Sequence, residues 1–351
     1  MTETRLTSTE SGAAPKHAEP NLLEVKNLVM NYELKGGEMV SAVENVSFNI
    51  PKGHSLGLVG ESGCGKTSVA LTLIGLQAPN ARVLGGEVLL DGENLLALEK
   101  EEMRLRRWND VSMVFQGAMN SMNPVYTVGD QIREAMDIHW DPKPTAKEAR
   151  EKTEELFNLV GINPDMIDRY PHEFSGGMKQ RAVIAMALSC DPKLIIADEP
   201  TTALDVIVQE QILEELRSIQ DDLGMSIIYI SHDIAVIAEI TDLLGVMYAG
   251  KLVELGTTAE IFARPRHPYS WLLLSSTPSI TGPRRVLAPL EGEPPNLLEP
   301  PTGCRFHPRC PFATEQCSAE EPELTEIKPG HSIACWNHEK VPVGLDQAEE
   351  L

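Results

Sequence analysis

No stretch of the sequence offers the about 18 consecutive apolar residues that a membrane-spanning helix needs. The most apolar tract, residues 227–246, is interrupted by His232, Asp233, Glu239 and Asp242. An apolar leader is missing as well: residues 1–20 are polar, so no signal peptide is expected and these residues read as a disordered tail. Positive charge is short. The 30 basic against 52 acidic residues leave a net charge of −22, whereas a nucleic-acid surface needs a basic stripe. Cysteine is limited to six residues, and no pair has the short C-x2-4-C spacing that favours zinc. These absences predict a soluble cytoplasmic chain without structural disulfides.

What is present begins with 42% hydrophobic residues over 351 positions, enough for one large domain and a smaller one with a true core. The stretch around which the rest is organised is Gly60-Glu61-Ser62-Gly63-Cys64-Gly65-Lys66-Thr67, which matches G-x-x-x-x-G-K-[ST] without a mismatch. Glycines let the backbone curl so that successive N–H groups face the phosphates of a nucleotide. Lys66 adds a point charge, and the Thr67 hydroxyl can ligate the accompanying Mg2+. Residues 54–59 read as an apolar strand and 68–76 as a helix, so the loop sits in the strand–loop–helix context that such a match requires. A nucleoside triphosphate is the expected ligand.

Further strands are expected at 22–29, 40–50, 87–90, 111–115, 193–199 and 225–230. Helices are expected over 128–160, broken at Asp141-Pro142-Lys143-Pro144, and from Ser175 to Cys190. Strand 111–115 delivers Gln116 at its carboxyl end, where ligands sit in open α/β sheets. Phe174-Ser175-Gly176-Gly177 precedes a helix; taken alone it is a cap and a turn that opens backbone amides to an anion. The run 193–199 ends in Asp198 and Glu199. Two acids at a strand end can be a solvated turn, but beside a phosphate loop Asp198 can hold Mg2+ through its waters and Glu199 can polarise water. His232 follows another strand end and is a candidate γ-phosphate contact.

The order of these motifs is similar to that of the nucleotide-binding subunit of an ABC (ATP-binding cassette) transporter across residues 22–256. The phosphate loop is followed by Gln116 of the Q-loop and by the signature Ser175-Gly176-Gly177-Met178-Lys179-Gln180. Residues 195–199 form the Walker B strand, Ala203-Leu204-Asp205 the D-loop, and His232 is the switch histidine. The segment Phe115 to Pro124, Arg266-His267-Pro268-Tyr269-Ser270 and Gly303-Cys304-Arg305-Phe306-His307-Pro308-Arg309-Cys310-Pro311 resemble the oligopeptide/dipeptide importer branch, which nickel importers share. The resemblance implies an α/β P-loop NTPase of ABC type, with an antiparallel β subdomain, a helical subdomain at about 125–175 within a domain of 21–256, and a Cys-containing extension at 257–351.

It also implies roles. Tyr32 stacks on adenine; Gly60, Ser62, Gly63, Cys64, Gly65, Lys66, Thr67 and Ser68 surround the phosphates; Thr67, Gln116 and Asp198 serve Mg2+. Glu199 is the general base, assisted by Lys66, Gln116 and His232, while Ser175, Gly176, Gly177 and Asp205 meet ATP across a head-to-tail pair. Expected partners are a second ABC ATPase subunit (a paralogue, or a second copy), two membrane permease subunits and, through them, an extracytoplasmic binding protein; nucleic acid is not expected. The expected place is the cytoplasmic face of the cell membrane, as a peripheral subunit that energises peptide import. A nickel or other small-solute importer is the alternative, and a soluble ABC ATPase acting on ribosomes or DNA a more distant one.

Cys304, Cys310, Cys317 and Cys335, spaced C-x5-C-x6-C and then seventeen residues apart, lie in a Pro-rich segment and read as a metal site rather than disulfides. Their wide gaps suit an iron–sulfur cluster better than zinc, with reduced thiols a third reading and His307, His331 and His338 leaving a mixed site open. The importer resemblance points to a [4Fe-4S] cluster. Cys64 is a variable slot of the phosphate loop, and Cys190 reads as a buried small hydrophobe.

Overall fold

The computed structural model describes residues 20–117, 121–202, 204–276 and 290–343. Residues 1–19 of the expected tail at 1–20, Ala118 to Asn120 of the Q-loop segment, Ala203 of the D-loop and most of the Pro-rich link lie outside the described residues. In chain order the strands are β1 (Asn21–Glu33), β2 (Met39–Pro51), β3 (Ser55–Val59), β4 (Ala81–Leu90), β5 (Glu93–Asn94), β6 (Val111–Val114), β7 (Leu194–Asp198) and β8 (Ser226–Ile230). They are followed by β9 (Leu243–Tyr248), β10 (Lys251–Thr257), β11 (Thr325–Lys328) and β12 (His331–Ile333). The helices used below are α1 (Lys66–Leu73), α2 (Lys100–Arg106), α3 (Val128–His139), α4 (Ala146–Leu159), α5 (Gly176–Leu188), α6 (Val206–Leu223), α7 (Ile234–Ile240), α8 (Thr258–Ala263) and α9 (Pro268–Ser275).

Two sheets carry the architecture. The first is antiparallel, in the order β2-β1-β4-β5; the second is mixed, in the order β11-β12-β10-β9-β3-β8-β7-β6. Strands β3, β6, β7 and β8 are buried at every position and parallel to one another, which is why they are continuous apolar runs in the sequence. Their carboxyl ends therefore open on one edge, and the phosphate loop, Gln116, Glu199 and His232 follow β3, β6, β7 and β8 in turn.

Helices α3, α4 and α5 pack on one another. Helix α3 buries Val128, Ile132, Ala135 and Met136, and α4 buries Ala149, Thr153, Leu156 and Phe157, each along one face at helical spacing. Thr127 caps α3, and Thr145 with Glu148 forms a capping box on α4, so both starts are written locally. Most charged residues of α3 and α4 are exposed, and some pair one turn apart, as in Arg150–Glu154.

Some elements depart from the expectation. Strand β4 starts at Ala81 rather than 87. Gly85-Gly86 reads as a break, yet Gly86 (φ +100°) lies beside a register shift in β1, where an added Cβ would stand 2.7 Å from the carbonyl oxygens of Lys26 and Asn27. Helix α1 starts at Lys66, immediately after Gly65, and ends at Leu73. The tract 227–246 divides into β8, α7 and β9, and β9 pairs in parallel with β3.

The C-terminal extension packs on the main domain. Strand β12 pairs antiparallel with β10, so the extension prolongs the main sheet. Phe306 (1% exposed) packs with Tyr248 and Tyr269 at ring-centroid distances of 5.1 and 5.4 Å, a contribution of about 2 kcal/mol for each ring so buried. The Glu254 carboxylate on β10 is wholly buried and accepts hydrogen bonds from the backbone N–H groups of Arg266 (2.7 Å) and His267 (3.0 Å) and from His331 Nε2 (2.8 Å). Three donors satisfy a charge that would otherwise be costly to bury. His267 in turn caps α9, its Nδ1 accepting the Tyr269 N–H at 3.0 Å, and burial pushes its pKa down to about 4, so it stays a neutral acceptor.

Candidate active site

A cleft of about 420 Å³ at the carboxyl edge of the sheet is lined by Tyr32, Ser62, Gly63, Cys64, Gly65, Lys66, Thr67, Ser68, Gln116, Glu199 and His232, together with Val40, Ala42, Ile230 and Leu297. That is large enough for a nucleotide. Two glycines shape the loop. Gly60 (φ +148°) and Gly65 (φ +104°) approach backbone so closely that a Cβ would fall 2.1 Å from Met247 O and 2.3 Å from Ala42 O. Only glycine fits both the left-handed dihedrals and the space.

Lys66 is 7% exposed, and its Nζ donates to Gly60 O (2.7 Å) and Glu61 O (3.1 Å), so the loop's own carbonyls hold the ammonium in the phosphate cradle. Cys64 is buried 3.5 Å from Nζ, and burial pushes its thiol up; it fills space and stays neutral. Tyr32 Oη lies 3.1 Å from Ser68 Oγ, which places the aromatic ring at the wall of the cleft.

Glu199 sits at the end of β7 with φ +47°, a backbone strain that a non-glycine residue carries rarely. Its Oε2 accepts from Gln116 Nε2 (2.5 Å) and Thr202 Oγ1 (3.0 Å), and its Oε1 from His232 Nδ1 (3.0 Å). Burial alone would raise this carboxyl, but the hydrogen bonds from His232 and Thr202 outweigh it and hold the group below its ordinary value. Three strand ends thus converge on one ionised carboxylate. Beneath it Asp198 is 2% exposed; desolvation first, then the Glu199 charge, raises its pKa against the Thr67 hydrogen bond and Lys66. Asp198 Oδ1 is buried with no hydrogen-bond partner. A buried carboxylate with one orphaned oxygen and a hydrogen bond to Thr67 elsewhere on the group fits a Mg2+ ion, whose waters would satisfy that oxygen.

Not every candidate gathers here. Ser175 caps α5 and accepts the Met178 N–H at 3.3 Å, with Ser175 and Gly176 exposed; neither they nor Gly177 line the cleft of their own chain. Asp205 caps α6, accepting from Val208 N at 3.0 Å, again away from the cleft. Sequence reasoning missed Leu297, which reaches the cleft from the extension while its carbonyl accepts the Ser41 N–H at 3.2 Å. It also missed the partner of Glu61: Arg309, whose guanidinium forks onto that carboxylate at 2.7 and 3.1 Å.

The four tail cysteines do come together. Cys304, Cys310, Cys317 and Cys335 line one small cavity walled by Pro268, Phe306 and Trp336. Burial and then the neighbouring cysteines push Cys310 and Cys335 up to about 12. Among the described residues, however, no group of three or more His, Cys, Asp or Glu side chains could hold a metal ion. The expectation of a metal in the tail, with zinc as its alternative and His307, His331 or His338 as extra ligands, therefore finds no ligand geometry in the structure. His331 instead pairs with Glu254, and His307 Nδ1 lies 3.0 Å from Cys304 O.

Comparison with known proteins gives a consistent picture. A family model described as ABC transporter matches residues 43–202, and one described as oligopeptide/dipeptide transporter, C-terminal region, matches residues 253–317. The dipeptide transport ATP-binding protein DppD of Bacillus subtilis is 46% identical over 319 residues, covering 90% of this chain and 94% of its own. Its namesake from Lactococcus lactis is 45% identical over 322 residues, covering 91% of each. Among solved structures, a dimeric ATP-binding cassette in a post-hydrolysis state, bound to ADP and Pi, superposes with a TM-score of 0.60 and 26% identity, over 67% of this chain and 98% of that one.

Proposed function

The chain belongs to the ATP-binding subunits of oligopeptide/dipeptide ABC transporters, and we propose from that premise that it hydrolyses ATP to drive peptide import. The observation that carries the reading is the convergence of Gln116, His232 and Thr202 on the Glu199 carboxylate at the mouth of an intact phosphate loop. It is an ATPase. Relatives named for dipeptide and oligopeptide transport favour peptides over nickel as cargo.

In this reading Tyr32 meets the base, and Gly60 to Ser68 surround the phosphates. Thr67, Asp198 and Gln116 would hold Mg2+, which would supply positive charge to the phosphates. Lys66 exchanges its loop carbonyls for phosphate oxygens. Glu199 accepts the proton of the attacking water, and His232 steadies water and γ-phosphate once it leaves the carboxylate. The exposed signature (Ser175, Gly176, Gly177) and Asp205 would act on ATP in a second cassette, paralogous or identical, which explains their distance from the cleft of their own chain. Among the described residues no helix is long and apolar enough to cross a membrane, so the path for the cargo would be built by two separate permease subunits, with this chain at their cytoplasmic face and an extracytoplasmic binding protein beyond them. In domain terms we assign 21–256 to the nucleotide-binding domain, with the helical subdomain at about 125–175, and 257–351 to the extension. Co-purification tests the assembly. A detergent-dependent complex with integral membrane proteins is expected, whereas co-sedimentation with ribosomes would turn the reading toward a soluble ABC ATPase.

For the tail, the reading we favour remains a [4Fe-4S] cluster on Cys304, Cys310, Cys317 and Cys335. Four thiols in one apolar pocket are the right donor set, and Asn337 already donates to Cys335 Sγ from its N–H and to Cys317 Sγ from its amide, both at 3.3 Å. The four thiolates would each hold one iron of such a cluster. Protein purified without oxygen is expected to hold about four irons and four sulfides per chain and to absorb broadly near ~400 nm. Absence of iron under those conditions would remove the cluster and leave the ATPase untouched.

A further inference from the structure

The phosphate loop contains a carboxylate that its chemistry does not want. Glu61 is the first variable position of the motif, and the loop it belongs to must receive a polyanion. Its own N–H is also spoken for, donating at 2.9 Å to the hydroxyl of Tyr269 on α9 of the extension. The carboxylate is met by the extension a second time. Arg309 Nη1 and Nη2 donate to Oε2 and Oε1 at 2.7 and 3.1 Å, a bidentate fork with the arginine side chain only 6% exposed. The guanidinium is itself fixed, by Nε donating to Glu291 O at 2.8 Å, by Nη1 reaching Tyr248 Oη at 3.3 Å, and by its place 5.7 Å from the Tyr248 ring centroid.

We propose that Arg309 is a positioning residue for nucleotide binding: through Glu61 it neutralises and anchors the entry of the phosphate loop, making the extension a working part of the ATP site. This rests on the loop being the ATP-binding loop. Glu61 is also one of the two residues whose backbone carbonyls aim the Lys66 ammonium, at 3.1 Å from Nζ, so a Glu61 released from its fork loosens the support of the ammonium that the phosphates need. The unpaired carboxylate would also put a net negative charge on the loop that receives the incoming anion. The expected defect is in binding, because Arg309 touches no reacting atom.

The test is a charge-rescue set in the full chain: Arg309→Gln, Arg309→Lys, Glu61→Gln and the Glu61→Gln/Arg309→Gln double variant. Each is titrated with Mg·ATP and assayed for KM, kcat and Tm. Arg309→Gln is expected to raise the ATP Kd and KM on the order of tenfold with a smaller change in kcat, a shift typical of one charged contact. Arg309→Lys should recover part of that loss. The double variant should return Kd to within about threefold of wild type, because the unpaired carboxylate is gone. Should Arg309→Gln not fold, Arg309→Lys and the double variant still decide. A wild-type Kd in the folded Arg309→Gln and Arg309→Lys variants, with only Tm lowered, overturns the proposal; so does a double variant that binds no better than Arg309→Gln. Failure of the wild-type chain to bind ATP in the same titration would strike the underlying assignment instead.

Discussion

Glu199→Gln is expected to bind Mg·ATP with close to wild-type affinity while its turnover falls on the order of 10³-fold, within the range that general-base removal costs. The substitution keeps the shape of the side chain and an oxygen that can still accept from Gln116, Thr202 or His232. What it removes is the basic oxygen. In the protein as it stands that carboxylate is ionised, because His232 and Thr202 hold it below its ordinary pKa against the pull of burial. Gln116 and His232 both spend hydrogen bonds on it; in the cycle we propose, the base would become available when those two groups turn to Mg2+ and phosphate. A drop of 10³ corresponds to about 4 kcal/mol of lost transition-state stabilisation. Phosphate release at wild-type rate would take the proton-acceptor role away from Glu199.

Lys66→Ala should weaken ATP binding by about 100-fold. A charge-assisted hydrogen bond contributes about 1.5–3 kcal/mol, and each 1.4 kcal/mol is tenfold in affinity. The ammonium is nine-tenths buried and already aimed into the cradle by Gly60 O and Glu61 O, so little conformational entropy remains to be lost when phosphate arrives. Isothermal titration with Mg·ATP, beside a melting curve showing that the variant folds, measures the effect. An affinity within threefold of wild type would mean that the backbone amides alone hold the phosphates.

Those two side chains were readable in the sequence because their signals are local. The loop spacing places Lys66, and a continuous apolar strand ending in two acids places Asp198 and Glu199. Runs buried on both faces mark β3, β6, β7 and β8 as parallel strands, which brings Gln116 and His232 to the same edge; their order β3-β8-β7-β6 shows only in the structure. Contacts between distant segments left no such trace. Leu297 and Arg309 reach the nucleotide cleft and the phosphate loop from a segment whose prolines and cysteines advertise something else, and nothing about Glu61 as a variable loop position announces a buried partner 248 residues away. Strand β12 joins the sheet by three residues beside β10, too short for periodicity to register. The break read at Gly85-Gly86 lies inside a longer strand, opposite a register shift in β1, and was not legible because the residues around it are exposed and show no alternation. The cysteines could be grouped by composition, but the pocket that collects them depends on Phe306 and Trp336 folding over it.

Peptide uptake tests the central claim most directly. Cells in which this chain is replaced by its Glu199→Gln variant, at equal protein level, are offered labelled di- and oligopeptides that the wild-type cells import. Loss of that uptake, with uptake of an unrelated solute intact, is the predicted result. Unchanged peptide uptake would contradict the account, whatever the purified protein does with ATP.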